Sequence, residues 1–180
     1  MKTGRVVALA AALLLASSAE AASLFGGYSK LRLDGANVHG WGLAFTWPLA
    51  GSVLMTVEAT GQYGLVNGED LTEHAVMAGP SLAFRRGRRL VPFVHAKVGS
   101  VRSRRQVEVF GVVIGPDGVC DRSCPSQTGF AAEAGGGLDL RLDDRWAVRL
   151  AEVDYRLTGL ADDEFDRLRL STGLVFSWGR

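Results

Sequence analysis

The sequence predicts an all-β protein: an eight-stranded antiparallel barrel of up-and-down connectivity, preceded by an export signal. Three observations carry this. Apolar residues recur at every second position in run after run, which is the period of a strand and not of a helix. Turn residues interrupt the runs at intervals of about 10–20 residues. Glycine is abundant, 23 of 180 residues. Most of it lies inside the runs, where it marks the bends, bulges and close backbone approaches that a small barrel needs.

The first element is the export signal. Lys2 and Arg5 give a basic start, Val6 to Ala16 form an apolar run, and Ala19-Glu20-Ala21 is a small-x-small cleavage site. A run of about eleven apolar residues is too short for a hydrocarbon core that needs about 20. The expected organisation is therefore a signal peptide over 1–21 and one barrel domain over 22–180. Losing Lys2, Arg5 and Glu20 from the chain's 20 basic and 19 acidic residues leaves 18 of each. A balanced exported domain has no electrostatic basis for binding nucleic acid.

Eight strand segments follow, at approximately 23–33, 37–47, 52–63, 71–86, 90–103, 127–142, 145–157 and 166–178. The first is ambiguous, because Leu24, Gly26 and Tyr28 compete with Phe25, Leu31 and Leu33 for the apolar face. The second sets His39, Trp41, Leu43, Phe45 and Trp47 against Gly40, Gly42, Ala44 and Thr46. The third opposes Val53, Met55, Val57 and Tyr63 to Thr56, Glu58, Thr60 and Gln62. The fourth opposes Val76, Pro80, Leu82 and Phe84 to Glu73, Met77, Gly79 and Ser81. In the fifth, Val94, Ala96 and Val98 face away from His95, Lys97 and Gly99. The sixth sets Phe130, Ala132, Ala134, Leu138 and Leu140 against Glu133, Gly135, Gly137, Asp139 and Arg141. The seventh opens with Trp146, Val148 and Leu150 opposite Arg149. It resumes one residue late with Val153, Tyr155 and Leu157, so a bulge is expected near Ala151–Glu152. The last alternates Leu168, Leu170, Leu174, Phe176 and Trp178 with Arg167, Arg169, Ser171, Gly173 and Val175.

Connections alternate in length. Pro48–Gly51, Gly87–Arg89 and Asp143-Asp144 are tight, whereas Gly64–Asp70, Arg104–Ser126 and Thr158–Phe165 are longer; Asp34-Gly35-Ala36 is the exception. Short turns on one rim and longer loops on the other are what a membrane barrel shows.

The polar faces carry Glu58, Glu73, Glu133 and Asp139 together with Arg85, Lys97, Arg141, Arg149, Arg167 and Arg169. Turned outward, these charges would simply be solvated, as in a soluble lipocalin-like carrier. Turned inward, they would fill the narrow interior of an eight-stranded barrel as ion pairs. Aromatics near the ends of the apolar faces (Trp41, Trp47, Tyr63, Trp146, Phe176, Trp178) favour lipid outside, since such residues form interfacial girdles. The expected lumen network joins Glu58, Glu133 and Asp139 to Lys97, Arg141, Arg149 and Arg169.

Cys120 and Cys124 sit in the longest connection, and an exported chain meets an oxidising compartment, so a disulfide is expected there. No histidine lies near them to complete a metal site. The three histidines are scattered, and Ser100 and His95 fall on opposite faces of one segment. No nucleophile therefore has a base within reach, so neither a catalytic residue nor a cofactor is predicted.

Ser171-Thr-Gly173-Leu-Val-Phe176-Ser-Trp178 resembles the polar-x-Gly-x-x-hydrophobic-x-aromatic signal that closes outer-membrane barrels. Gly179 and Arg180 follow the aromatic on which the family usually ends. The domain as a whole is similar to the small OmpA/OmpX-type barrels. That resemblance implies residence in the cell outer membrane among lipids and lipopolysaccharide. It also implies that the barrel-assembly machinery reads Ser171, Gly173, Phe176 and Trp178. The resemblance further implies a structural or interactive role through external loops, or at most narrow solute passage. Lipid A deacylases share the size and strand number, but the closely spaced His and Ser they use are missing here.

Overall fold

The computed structural model describes residues 22–33, 36–66, 68–84, 89–109, 112–115, 118–120, 126–159 and 167–178. The expected signal peptide lies outside them. Ten strands form: β1 (Ala22–Leu33), β2 (Ala36–Ala50), β3 (Val53–Val66), β4 (Glu69–Ala83), β5 (Leu90–Val109), β6 (Val112–Gly115), β7 (Gly118–Cys120), β8 (Gln127–Arg141), β9 (Trp146–Thr158) and β10 (Arg167–Trp178). Eight of them close an antiparallel barrel in the order β4-β3-β2-β1-β10-β9-β8-β5, with β5 paired back to β4. Partners traced from Phe93 pass through Gly137, Glu152, Ser171, Ser29, Gly40, Gln62 and Glu73 and return to β5 at Ser103, ten residues along. That stagger obliges the strands to tilt strongly against the barrel axis.

The eight barrel strands match the predicted segments, and two connections differ. β3 and β4 run on to Val66 and back from Glu69, so the expected loop 64–70 reduces to residues 67 and 68. An Asn-Gly pair suits a two-residue hairpin turn, and Gly68 takes the left-handed φ of 86° such a turn requires. The 104–126 connection is partly strand. β5 continues to Val109, and β6 and β7 add a short ribbon, with Val107 paired to Ile114 and Val113 to Cys120. The β-branched run Val112-Val113-Ile114 favours this over coil. Cys120 thus lies in β7, whereas Cys124 is outside the described residues.

The bulge falls where the phase slip puts it. Glu152 pairs with Ser171 but Arg149 with Gly173, so Leu150 and Ala151 together oppose Thr172. At the neighbouring turn, the Asp143 carboxylate accepts the N–H groups of Arg145 (2.7 Å) and Trp146 (2.8 Å). Those two donors hold its carboxyl below the ordinary aspartate value.

The barrel is apolar outside and charged inside. Leu43, Val76, Val98, Phe130, Leu157 and Leu174 point outward and are all at least 47% exposed. Among the described strand positions, outward charges occur only toward the long-loop end, at Lys30, Arg32, Asp70, Arg102 and Arg104. Two aromatic belts bound the apolar zone. Toward the short turns, Trp146 packs on Phe176 (4.8 Å between centroids), and Trp178 lies 5.8 Å from Phe45. Toward the long loops, Tyr28 contacts His39, and Tyr63 meets His74 edge-on at 5.6 Å.

Candidate functional site

The inward residues divide the lumen into three levels. At the long-loop end Leu31, Leu33, Val38, Val66 and Leu71 pack as a buried apolar cap. This explains the ambiguity of the first segment: β1 is apolar on both faces, with Leu24 and Tyr28 outward and Leu31 and Leu33 sealing the interior.

Below the cap lies a network of buried ions. Arg167 on β10 donates to Glu73 on β4, directly across the barrel. Arg156 bonds Glu73 at 3.1 Å and Glu133 at 2.8 Å. Arg169 bonds Glu58, Glu133 (3.0 Å) and Asp154 (2.5 Å). Lys97 bonds Glu58 and Glu133 (2.8 Å). His95 Nε2 lies 2.7 Å from Asp154. Each of these side chains is at most 4% exposed. Ions so removed from water persist only when paired and hydrogen-bonded, and here each carboxylate meets at least one cation. His95, Glu133 and Asp154 also converge closely enough to hold a metal ion, but their oxygens already serve Lys97, Arg156 and Arg169.

The third level is a stacked lid. Arg149 makes a two-pronged bond with Asp139 (2.9 and 3.2 Å) and another with Glu152 (2.8 Å). Its guanidinium sits between the Phe25 and Phe93 rings, at 4.4 and 4.3 Å from their centroids, the geometry of a double cation–π contact. Glycine makes room for the rings. A Cβ on Gly173 would stand 2.9 Å from Phe25, and one on Gly137 would stand 2.7 Å from Phe93.

Of the residues singled out by sequence, Glu58, Lys97, Glu133 and Arg169 meet in the central cluster, and Asp139 with Arg149 forms the lid. Arg141 does not join them. It lies at the short-turn rim, half-buried, and makes no ion pair among the described residues, because both Asp139 oxygens are taken by Arg149. Sequence reasoning missed Glu73, Glu152, Asp154 and Arg156 as members, and His95 as the partner of Asp154. Three of these five follow the β9 bulge, where the inward face changes parity; the signal was the resumption of the apolar face at Val153. Ser100 points outward while His95 is buried inward, so this pair does not assemble a nucleophile and base.

The four residues of the closing motif all lie on the β1–β10 seam or its flanks. Ser171 donates to Ser29 across the seam (3.3 Å), and Gly173 faces Gly27. Phe176 and Trp178 stand outside, in the lower aromatic belt.

No protein-family model matches the sequence, and neither does any curated protein. Solved structures match its fold. Neisserial surface protein A superposes with a TM-score of 0.64 at 13% identity, covering 89% of this chain and 98% of that one. Ail of Yersinia pestis gives 0.58 at 14%, covering 89% and 100%. The N-terminal barrel of Pseudomonas aeruginosa OprF gives 0.55 at 15%, again covering 89% and 100%. In fold, this chain is an eight-stranded antiparallel β-barrel similar to those of small outer-membrane proteins.

Proposed function

We propose that the protein resides in the outer membrane as an integral barrel whose lumen is closed by its own side chains. It acts structurally and through its long-loop end, not as an open pore. The observation that carries this is the cross-lumen cluster of Glu58, Lys97, Glu133 and Arg169, sealed above by the Leu31–Leu33–Val38 cap. Moving an ion through it would require breaking several buried ion pairs at once, each strongly unfavourable to leave half-made.

The outer surface supports the membrane assignment. Between the two aromatic belts the outward strand positions hold no Asp, Glu, Lys or Arg, as hydrocarbon demands. Short turns face the periplasm in such barrels, and on this reading the β5–β6–β7 ribbon lies outside the cell. Lys30, Arg32, Arg102 and Arg104 then stand at the external interface, where cations suit lipopolysaccharide phosphates. Ser171, Gly173, Phe176 and Trp178 serve as the address read during assembly.

Two measurements test the reading. The refolded protein should migrate differently on gels before and after boiling, and planar bilayers containing it should show no sustained channel current. A steady open conductance would overturn the closed lumen, and hydrolysis of lipid A by the refolded protein would overturn the non-enzymatic role.

A further inference from the structure

Beside Arg149 the barrel holds a chamber of about 560 Å³ that reaches from Glu58, His95 and Lys97 to an opening at the short-turn rim. That is the size of a small-molecule site, typically about 300–1,000 Å³. The ion network and the apolar cap close its far end, so a solute that enters leaves by the same mouth.

Its wall is chemically divided. Leu54, Ala83, Val91 and Phe93, from β3, β4 and β5, form one packed apolar surface. Beside this runs a ladder of hydroxyls, with Thr46 to Thr56 at 3.0 Å and Thr56 to Ser81 at 3.2 Å. Arg141 lines the chamber from β8, the strand next to Val91. Arg141 makes no ion pair among the described residues, whereas Lys97 binds Glu58 and Glu133, and Arg149 binds Asp139 and Glu152. Arg145 lies on the exposed turn, beside Asp143 and Asp144 at the mouth. A half-buried guanidinium at the end of an apolar wall lacks one thing, a carboxylate to fill its fork.

We propose that this chamber binds a small amphipathic monocarboxylate, entering from the periplasmic side. Its carboxylate pairs with Arg141 and its apolar body lies along Leu54, Ala83, Val91 and Phe93. The hydroxyl ladder accommodates a polar substituent. Asp143 and Asp144 at the mouth disfavour a dianion such as phosphate. This site does not depend on whether the lumen conducts.

The test uses the protein refolded in micelles, with heat-dependent gel migration reporting the fold of every variant. Phenylacetate and hexanoate are titrated against the fluorescence of the tryptophans, two of which, Trp146 and Trp178, stand at the rim of the chamber's mouth. 2-Phenylethanol and inorganic phosphate serve as the neutral and dianionic comparisons. Saturable binding of the acids is expected, with both comparisons weaker. Arg141→Gln should weaken the acids by at least about tenfold, the loss typical of a charge-assisted bond, and erase their advantage over the alcohol. Val91→Trp, which fills the chamber, should abolish binding of acid and alcohol alike. The proposal fails if the folded wild type binds neither acid. It fails equally if phosphate binds as well as the acids, or if Arg141→Gln binds them as tightly as wild type.

Discussion

Arg169 on β10 and Glu58 on β3 meet inside the barrel from strands separated by β1 and β2, and both side chains are at most 1% exposed. The pair ties the closing strand to the opposite wall. Glu133 and Asp154 share the same guanidinium, so one cation balances carboxylates from three strands.

Replacing Arg169 by Met should therefore be among the most destabilising single changes. It leaves Glu58, Glu133 and Asp154 buried and short of a partner, a loss of about 3–5 kcal/mol. Urea unfolding of the refolded protein would measure it. Arg32→Ala, on the exposed outer face, should change stability by no more than about 0.5 kcal/mol. Equal effects of the two would contradict the network's role.

Leu43 separates the membrane-bound from the soluble barrel. It points outward between Trp41 and the Phe45–Trp47 pair and is 47% exposed. In lipid, Leu43→Arg should cost about 2–4 kcal/mol, the penalty for a cation near the bilayer midplane. On a water-exposed face the same change would be nearly neutral. Unfolding from lipid vesicles reads the difference.

Gly173 and Trp178 should separate packing from assembly. Gly173→Val drives a side chain into Phe25 and the Gly27 backbone, so refolding in vitro and assembly in cells should both suffer, by about 1–3 kcal/mol in stability. Trp178→Ala removes a ring from the lower belt but no lumen contact. It should reduce outer-membrane levels in cells while leaving refolding in vitro largely intact. Equal impairment of both processes by Trp178→Ala would remove the case for an assembly address.

Cys120 tests topology. With the β5–β6–β7 ribbon outside the cell and a disulfide to Cys124, a membrane-impermeant maleimide should label intact cells only after reduction. Labelling without reduction would exclude the disulfide. Failure to label reduced, expressing cells would place the ribbon on the periplasmic side.

The strands and their two faces were legible in the sequence because alternation is local: neighbouring side chains on a pleated strand point to opposite sides whatever the rest of the chain does. Trp41-Gly-Leu43-Ala-Phe45 or Leu168-Arg-Leu170-Ser declares its faces alone. Loops were less legible. Asn67-Gly68 falls within the expected 64–70 loop, because the strand pattern flanking it is weak.

Partner choice inside the barrel could not be read along the chain. Glu73 lies 94 positions from Arg167, and Glu58 lies 111 from Arg169; only the stagger of the closed sheet brings them level. The same geometry excluded Arg141 from the network and left it facing the open chamber. By itself the sequence determined that charges line one face and apolar residues the other. Closure of the sheet decided which charges pair, because contacts across a lumen depend on register and tilt, which alternation does not encode.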